Sequence, residues 1–506
     1  MTDDLPTLSE IATRRSSATT APATFALVVA WCAEGPARLG ESLVLPLAEQ
    51  APWSVFGRGG AAASDPHPRL TLVRARPGRV EAATPLANPH LSRVQLRLAA
   101  RGDEGVSFER LGRAPLIQNA GDDEVGGGLL QPGDTLRIGR QLMFLLVRRP
   151  AWQAPLDLGS EARPFPFGAP DPLGLVGESP EMWQLRAQIA FMARRREHVL
   201  ITGASGTGKE KVAHALHQLV SSRPLVARNA ATFPEGLIDA ELFGNARNYP
   251  NAGMPERPGL IGEANGSTLF LDEIGELPVP LQAHLLRVLD GGEYQRLGDG
   301  QTRRSTFRLL AATNRPYAVL KPDLLARLSL RLEVPDLNAR REDIPLLARH
   351  LLRELAQKGD GDGDGDGDGD RARGPAGSGG DRAISLALMT ALVRHTYVTN
   401  VREMRAALLE SLAHASGTEL TWVPPGLATP PSTPAVASPA PPSAAPPPRA
   451  IGAALDPARV QVVLDRHRGN IELAWRELEL SSRHALGRLI TRHALRAGRS
   501  WRPPEG

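Results

Sequence analysis

A glycine-rich turn between an apolar run and a helical pattern is the feature that most constrains how this chain can fold. Residues 198–210 read HVLITGASGTGKE. The glycines at 203, 206 and 208 let the backbone curl so that several N–H groups point at a polyphosphate, which Lys209 also reaches. The apolar residues after the turn recur at helical spacing, so the turn caps a helix whose positive end faces the anion. The pattern predicts a strand, a phosphate loop and a helix start.

One position departs from the usual phosphate loop. Glu210 stands where a serine or threonine commonly binds magnesium. We therefore expect Thr207 or a water molecule to take that role. The residues expected to hold the nucleotide are Gly203, Ala204, Ser205, Gly206, Thr207, Gly208, Lys209 and Glu210.

The length and the cysteine count limit the class of protein. A chain of 506 residues predicts about three domains plus linkers. Its single cysteine, Cys32, excludes an intramolecular disulfide and fits a reducing compartment. The apolar run Phe25–Cys32 is too short to span a bilayer and lacks the layout of a signal peptide. We expect a cytoplasmic protein with no membrane partner.

The N-terminal region predicts a β-sandwich. Residues 1–22 are polar, have no period and are expected to be a disordered lead-in. Across residues 23–149, eight short β-rich runs alternate with Gly, Pro and Asp turns, which is typical of antiparallel sheets. A proline-rich stretch at 150–172 is expected to be a linker that does not fold.

Three points of this region resemble a forkhead-associated (FHA) domain. They are FGRG at 56–59, SRVQ at 92–95, and Asn119 followed by Gly-Asp at 133–134. The resemblance implies that Arg58 and Ser92, with Asn119, bind a phosphothreonine. A guanidinium and a hydroxyl together suit a phosphate.

Two positions depart from that family. Gln95 replaces the usual histidine, and the Ser/Thr-Asn-Gly turn appears as GRAP at 112–115. A purely structural sandwich therefore stays open as the alternative.

A second acidic motif follows the phosphate loop. The run STLFLDE at 267–273 is an apolar strand that ends in two carboxylates. Asp272 can hold magnesium, and Glu273 can polarise the attacking water. A further buried strand ends in Thr313 and Asn314, which are suited to sensing the γ-phosphate. Strands alternate with amphipathic helices from Leu175 to Leu337, which predicts an α/β domain.

Together these motifs resemble an AAA+ P-loop ATPase, and more narrowly the central domain of bacterial enhancer-binding proteins that activate sigma-54 RNA polymerase. The resemblance covers about 174–415. The motifs that carry it are LVGES at 175–179, ELFG at 241–244, LDEIGELP at 271–278, LLRVL at 285–289, ATNR at 312–315 and NVRE at 400–403. It implies a domain over 173–416, with an α/β core at 173–340 and a helical lid at 341–416.

The resemblance also implies roles for single residues. Asn229 matches the switch that holds the catalytic glutamate until the γ-phosphate is read. Arg327 matches an arginine finger given to a neighbouring subunit, and Arg402 matches the second sensor. Lys321 stands where a second arginine is common, and lysine cannot present a bidentate fork. A finger acting in trans implies a homo-oligomer, from a dimer to a hexameric ring, with ATP and Mg²⁺ as cofactors.

One loop departs strongly from that family. The family carries a GAFTGA loop whose aromatic and threonine touch sigma-54, whereas residues 248–253 here read NYPNAG. Pro250 takes the aromatic position and Asn251 the threonine position, and proline fixes φ and removes a donor. ATP turnover can then survive while coupling to sigma-54 fails. The alternative is that Tyr249 serves as a substitute anchor.

Low-complexity segments interrupt the second half of the chain. A Gly-Asp repeat at 359–370 predicts a solvated insertion in the lid, because its like charges repel one another. The repeat does not predict a calcium loop, because no glutamate closes the 12-residue frame. Residues 417–450 are rich in Pro, Ala and Ser and predict a second linker.

The C-terminal residues 451–506 contain three amphipathic segments that resemble a Fis-type helix-turn-helix. Its third helix would enter the major groove of DNA. The residues expected at bases and phosphates are Arg483, His484, Arg488 and Arg492.

These predictions combine into an ATP-dependent, DNA-binding transcription regulator of the sigma-54 activator type with a phosphothreonine-recognising input domain. Its expected partners are enhancer-like DNA sites, a phosphothreonine protein and, as a candidate, sigma-54 RNA polymerase. The alternative is a nucleotide-gated, DNA-binding regulator or adaptor that does not remodel sigma-54. A third interpretation, a phosphopeptide scaffold, fits the intact nucleotide motifs least.

Overall fold

The computed structural model describes residues 22–46, 53–61, 65, 67–159, 163–234, 236–359, 382–415, 417–428, 457–467, 474 and 490. The chain divides into two compact units, Met1–Ser432 and Thr433–Gly506, and each is described by itself. Across these ranges, no helix combines the length and the apolar character needed to cross a bilayer.

The N-terminal part of the first unit is a β-sandwich. Its strands are β1 (Ala23–Cys32), β2 (Ser42–Val44), β3 (Ser54–Phe56), β4 (Val73–Arg76), β5 (Arg79–Ala82), β6 (Leu96–Arg101), β7 (Gly105–Arg110), β8 (Leu116–Gln118), β9 (Gly127–Leu130), β10 (Thr135–Ile138) and β11 (Leu142–Pro150). Seven of them form a sheet in the order β5-β4-β2-β1-β11-β10-β8, and four form a second sheet in the order β3-β6-β7-β9. The inner faces of both sheets share one core that includes Phe56, Phe108 and Phe144. The predicted antiparallel sandwich is present.

The β4–β5 hairpin was not predicted as such. The sequence pattern ends a strand at Val73, but the chain continues through Arg76, turns at Pro77-Gly78 and returns as β5. Both strands lack a fully buried face, because their side chains are half-buried or exposed. A hairpin without an apolar stripe gives no period-2 signal to read.

The α/β core follows the sandwich in the chain. Its elements are α1 (Pro180–Ala193), β12 (Val199–Thr202), α2 (Lys209–Gln218), β13 (Val226–Asn229), α3 (Ile238–Phe243), α4 (Gly259–Glu263), β14 (Thr268–Asp272), α5 (Val279–Gly291), β15 (Glu293–Gln295), β16 (Thr302–Arg304), β17 (Arg308–Thr313), α6 (Pro322–Arg327) and β18 (Leu330–Glu333). The main sheet has the order β13-β14-β17-β12-β18, and its neighbours pair in parallel. The carboxyl ends of the strands therefore meet at one edge, which is where α/β sheets bind ligands.

The lid consists of helices α7 (Ile344–Gly359), α8 (Leu386–Arg394), α9 (Asn400–Ala413) and α10 (Pro425–Ala428), and the short strands β19 (Ala383–Ile384) and β20 (Glu419–Leu420). The described part of the lid is mostly helical. The part of the Gly-Asp repeat at 360–370 lies outside the described residues. The linker predicted at 417–450 begins later than expected, because β20 pairs with β19 and both Leu420 and Leu427 are buried, so residues 417–428 belong to the lid. Residues 429–450 lie outside the described residues.

The sandwich and the lid share a second hydrophobic core. Ala30, Met143 and Leu145 lie on the outer face of the seven-stranded sheet and pack in one cluster with lid residues such as Leu388 and Met389. Polar contacts join the same two parts. The Trp31 indole N–H donates to the Ile384 carbonyl at 2.8 Å, and Arg149 pairs with Glu342 at 3.3 Å. The two parts form one packed body.

The proline-rich segment differs from the expectation of an unfolded linker in its second half. The Arg76 guanidinium donates to the Phe165 carbonyl at 2.9 Å and pairs with Glu178. The buried Asp171 carboxylate accepts from Arg186 at 2.7 Å. These contacts order residues 163–178 as a strap between the sandwich and helix α1.

The second unit contributes helix α11 (Pro457–Arg466), which coincides with the first predicted amphipathic segment. Val460 and Leu464 are buried on one of its faces. The predicted DNA-contacting residues Arg483, His484, Arg488 and Arg492 lie outside the described residues.

Candidate nucleotide-binding site

The phosphate loop joins β12 to α2 in the predicted way. Gly203, Gly206 and Gly208 all have positive φ, at 149°, 74° and 103°, which only glycine adopts without strain. A Cβ on Gly206 would lie 2.1 Å from the Thr399 carbonyl oxygen. Glycine is therefore required there because the lid backbone crosses the loop.

Three lid residues hydrogen-bond to the phosphate loop. The Asn400 side-chain amide donates to the Ser205 carbonyl at 3.0 Å, and the Val401 N–H donates to the Gly206 carbonyl at 3.1 Å. The Arg402 guanidinium donates to the Ser205 hydroxyl at 3.1 Å. The predicted second sensor Arg402 therefore lies beside the predicted loop.

Asn400 is a site residue to which the sequence analysis gave no role. Its φ is +52°, it is buried, and its amide oxygen accepts from the Leu337 N–H at 2.7 Å. The amide thus links the phosphate loop to the segment that leads into the lid. The NVRE motif indicated a functional segment here, but it did not predict that the Asn400 side chain would link the phosphate loop to the lid.

The lysine folds back on its own loop. Lys209 Nζ donates to the carbonyls of Gly203 at 3.1 Å and Ala204 at 3.2 Å. The carbonyls of residues 203 to 206 are thus all occupied, two by the lysine and two by the lid. Because N–H and C=O point in opposite directions across a trans peptide, the N–H groups face away from these partners. That arrangement suits an anion.

Two carboxylates lie at the end of β14, next to the loop. Asp272 and Glu273 line a cavity of about 330 Å³ together with the phosphate loop, Arg340 and Arg402. Glu273 has a φ of +51°, and its carboxylate accepts from the Asn314 N–H at 3.4 Å.

The predicted switch Asn229 and the predicted sensor Thr313 lie at the carboxyl ends of β13 and β17, the two strands that flank β14. Asn229 is paired in register with Asp272, and its side chain accepts from the Ala231 N–H at 2.8 Å rather than contacting Glu273. Thr313 is buried, and its hydroxyl accepts from the Arg315 N–H at 3.0 Å.

The residues at the cavity fit magnesium bound through a nucleotide. In the described part of the chain, no group of three or more His, Cys, Asp or Glu side chains could hold a metal by itself. Mg²⁺ commonly takes one or two carboxylates and completes its shell with water and phosphate oxygens. Asp272 can supply that carboxylate. The Thr207 hydroxyl donates to the Ala204 carbonyl at 3.0 Å, and Glu210 is exposed at the cavity.

A charged run at the start of the lid was not identified from sequence. Arg340 is buried, lines the cavity and approaches the Thr207 carbonyl at 3.5 Å; burial lowers its pKa. Asp343 is fully buried and accepts from the Ser179 hydroxyl at 2.6 Å; burial raises its pKa. Burial likewise raises the pKa of Glu342 to about 7, against the opposing charge of Arg149. Consecutive lid-entry residues thus contact the phosphate loop, the sandwich and helix α1.

The predicted arginine finger lies away from its own cavity. Arg327 ends helix α6, and its Nε pairs with Asp290 Oδ1 at 2.5 Å. Both side chains are about half exposed. Lys321 caps the same helix, and its backbone N–H donates to Gln282.

The loop that departs from the family is closed on itself. The buried Asn245 amide donates to the carbonyls of Ala246, Tyr249 and Pro255 at 3.0, 3.3 and 2.9 Å. The Gly253 N–H donates to the Asn248 side chain at 3.0 Å. Tyr249 packs directly over the Cα of Gly298 in the β15–β16 connection.

The predicted phosphopeptide residues lie on two adjoining loops of the sandwich. The Arg58 N–H donates to the Ser92 carbonyl at 2.9 Å, and Arg58 Nε is buried without a hydrogen-bond partner among the described residues. The Gln95 amide accepts from the Ser92 N–H at 3.2 Å and donates to the Ala114 carbonyl at 2.8 Å. One neutral amide thus joins the loops that carry Ser92 and Ala114.

Asn119 is engaged elsewhere. It has a φ of +62°, its amide donates to Asp134 at 3.0 Å, and its oxygen accepts from the Thr135 N–H at 3.1 Å. It ties β8 to the turn before β10. The structure therefore places Arg58 and Ser92 close together, whereas the hydrogen bonds of Asn119 hold the turn before β10.

Comparisons with known proteins agree with this site. A family model described as the Sigma-54 interaction domain matches residues 175–338. The transcriptional regulatory protein ZraR of Salmonella typhimurium is 43% identical over 203 residues, which cover 38% of this chain and 46% of that protein. The chain thus spans a little under half of the length of ZraR. The anaerobic nitric oxide reductase transcription regulator NorR of Aeromonas hydrophila is 36% identical over 378 residues, or 70% of this chain and 69% of that protein.

Among solved structures, NtrX from Brucella abortus in complex with ATP is 27% identical and aligns over 63% of this chain and 68% of that chain. The TM-score of that alignment is 0.42, which is too low to support a structural argument.

Proposed function

Because this chain belongs to the family of sigma-54-dependent transcriptional activators, whose central domain is an AAA+ ATPase, we propose that it hydrolyses ATP to regulate transcription at DNA sites bound by its C-terminal region. The observation that carries the proposal is the attachment of lid residues 399–402 to the phosphate loop, beside Asp272 and Glu273. A lid held on the loop by hydrogen bonds can respond to what the loop binds.

The residues have defined tasks in this proposal. ATP supplies the phosphoanhydride bond whose cleavage drives the conformational change. Lys209 exchanges its two loop carbonyls for phosphate oxygens, and Asp272 holds magnesium. Glu273 orients the attacking water and receives its proton. Asn229 would hold Glu273 only after its side chain leaves the Ala231 N–H, to which it is bonded in this structure. Arg402 contacts the phosphates from the lid.

Residues outside the cavity would form the contacts with a neighbouring subunit and with DNA. Arg327 reaches a neighbouring subunit's site once it leaves Asp290, which requires a ring or a similar homo-oligomer. Arg483, His484, Arg488 and Arg492 contact DNA bases and phosphates, so affinity for DNA falls as salt rises. All these events take place in the cytoplasm.

ATP turnover and reconstituted transcription test the proposal. Glu273→Gln in the full chain should retain ATP and lose turnover, and transcription with sigma-54 polymerase should then stop. Glu263→Gln, on an exposed face of α4, is the matched control. Absence of ATP turnover by the unaltered chain would overturn the proposal.

The closed loop at residues 245–257 favours a second candidate function. Its hydrogen bonds are satisfied internally, and Pro250 and Asn251 replace the two groups that touch sigma-54 in the family. A chain of this kind would use ATP to gate its oligomer on DNA without remodelling sigma-54. Tyr249, 41% exposed, is the candidate substitute anchor in the first function.

Retention of sigma-54 separates the two candidates. The full chain is trapped with ADP–aluminium fluoride, a transition-state mimic, and passed with sigma-54 over an affinity column. Retention by the unaltered chain that is lost in Tyr249→Ala supports the activator. Retention only after Pro250→Phe with Asn251→Thr supports the gated regulator.

The sandwich is proposed as the phosphothreonine-recognising input. Support comes from Arg58 and Ser92, which lie on adjoining loops with an unpartnered buried Arg58 Nε. Asn119 would act by holding the loop before β10 in place. Arg58→Ala should abolish binding of a phosphothreonine peptide in a titration, and equal binding would leave a purely structural sandwich.

A further inference from the structure

The surface around Arg58 and Ser92 carries two more arginines. Arg93 follows Ser92 directly, and its carbonyl would lie 2.3 Å from a Cβ on Gly57, so the two loops touch. The Arg113 N–H donates to the Ser92 hydroxyl oxygen at 3.1 Å. Arg93 and Arg113 are both exposed. Three guanidinium groups therefore belong to the backbone segments that surround one serine hydroxyl.

These arginines differ from their neighbours in the sandwich. Arg69 pairs with Asp65 at 2.7 Å, Arg110 pairs with Glu124 at 3.0 Å, and Arg97 pairs with Glu109. Within the described ranges, no carboxylate pairs with Arg58, Arg93 or Arg113. Carboxylates of the sandwich thus neutralise several of its arginines, whereas no carboxylate among the described residues neutralises the arginines around Ser92.

Two of the three acidic residues in the next loop are engaged elsewhere, and the third, Asp123, is exposed and has no ion pair among the described residues. Asp122 lies 3.7 Å from Arg137, and Glu124 binds Arg110. Both therefore have basic partners apart from the Ser92 surface. A ligand that supplies carboxylates would complete the Ser92 surface.

We propose that the phosphorylated segment read by the sandwich is acidic, and that Arg93 and Arg113 bind carboxylates that flank its phosphothreonine. This inference rests on the proposed phosphothreonine function. Arg58 and the Ser92 hydroxyl take the phosphate, because that hydroxyl already accepts from Arg113 N–H and keeps its own proton to donate. Arg93 and Arg113 then set specificity for the residues on either side.

The expected preference is moderate and sensitive to salt. Ion pairs between exposed groups are individually weak, so two of them raise affinity by roughly two- to thirtyfold. Attraction between exposed charges is screened beyond about 10 Å at 0.1 M salt. The advantage of an acidic peptide should therefore shrink as salt is added, while the phosphate dependence remains.

A titration of the full chain with three labelled peptides tests this. The first carries phosphothreonine between Asp and Glu residues, the second carries phosphothreonine between Ser and Gln, and the third is the first peptide without its phosphate. Fluorescence anisotropy should show the acidic phosphopeptide binding roughly tenfold more tightly than the neutral one. The unphosphorylated peptide should bind far more weakly than either.

Substitutions test which residues cause the preference for the acidic phosphopeptide. Arg93→Ala with Arg113→Ala should remove the advantage of the acidic peptide and leave affinity for the neutral phosphopeptide within about twofold, since exposed pairs act independently of the phosphate cradle. Arg79→Ala is the matched control, because Arg79 is an exposed arginine on β5. A thermal melt of each variant confirms that the sandwich remains folded.

The outcomes separate the two proposals. Equal binding of the acidic and neutral phosphopeptides would overturn this inference and leave phosphothreonine recognition standing. Equal binding of the phosphorylated and unphosphorylated acidic peptides would overturn phosphothreonine recognition itself. An acidic preference that survives the double substitution would also overturn the inference, since it would assign the preference to other residues.

Discussion

The phosphate loop and the loop at residues 245–257 belong to the same ATPase core but use their polar groups in opposite ways. In the phosphate loop, Lys209 and the lid hold the carbonyls, and the N–H groups of the same peptides point away from these partners. In the second loop, Asn245 and Asn248 bind the loop's own carbonyls and N–H groups. The first loop is built to receive a partner, and the second is complete without one.

The nucleotide-binding residues and the loop at residues 245–257 have therefore departed from the family pattern to different degrees. The residues expected to bind and cleave ATP come together at one sheet edge, at the positions that the family resemblance implied. The loop expected to deliver the result of cleavage keeps neither family side chain at its tip.

Arg327→Ala should lower ATP turnover by roughly 10³-fold or more, since an arginine finger contributes roughly 10³–10⁵ in rate in related chemistry. Steady-state phosphate release measures it. Arg79→Ala, a surface arginine of the sandwich, is the control. Unchanged turnover in Arg327→Ala would refute the shared site between subunits.

Gly206→Ala should lower turnover by roughly 10²-fold, the size of effect that an ångström of misplacement causes at an active site. The new methyl group would meet the Thr399 carbonyl, so the lid must move away from the phosphate loop. Gly300→Ala is the matched control, because nothing lies within 4 Å of a Cβ at that position. Equal rates in the two variants would show that the lid contact has no part in turnover.

Asn245→Ala should open the second loop without affecting the first. Removing a buried donor leaves carbonyls unsatisfied at a cost of about 1–3 kcal/mol, which is roughly ten- to hundredfold in local opening. Hydrogen exchange at the Asn248 and Gly253 amides reports it. ATP turnover should stay within about twofold, because Asn245 contacts no residue of the cavity.

For that third prediction, Gln301→Ala is the control, because this glutamine is exposed in the β15–β16 connection. Unaltered exchange in Asn245→Ala would mean that the loop is held by something other than this amide. A loss of turnover in Asn245→Ala would contradict the independence of the two loops.

Glu210→Thr should produce the smallest change. The new threonine supplies the hydroxyl that commonly binds magnesium at this position, a contribution of roughly 1 kcal/mol or less at an exposed site, so the Mg²⁺ concentration for half-maximal turnover should fall by up to about fivefold. Turnover measured across a magnesium series gives this value. Glu263→Thr is the control, and a rise in the magnesium requirement would instead identify Glu210 as a ligand.

The sequence predicted the site best where local spacing carries the chemistry. Gly203, Lys209 and Asp272 belong to short motifs whose backbone shape and ligand chemistry are fixed within a few residues. Arg402 came from the family resemblance, and its guanidinium donates to the Ser205 hydroxyl of the phosphate loop. Such positions need no knowledge of distant packing.

Residues that act through long-range packing were not predictable in the same way. Asn400 bridges the phosphate loop only because the lid folds back over it, and Arg340 is buried although a charged run suggests a surface. The strap at 163–178 has the composition of a linker, yet Arg76 and Arg186 fix it from distant strands and helices. The composition of a segment indicates how it behaves in isolation, but it does not indicate which side chains from the rest of the fold will hold it in place.

The core shared by the sandwich and the lid makes the domain boundary a poor place to cut the chain. A shortened chain that begins at the proline-rich segment would expose the lid side of the cluster around Leu388 and Met389 to water and would tend to aggregate. For the same reason, the sandwich and the lid should unfold in one calorimetric transition rather than two. The sandwich is thus, thermodynamically, a part of the lid against which it packs.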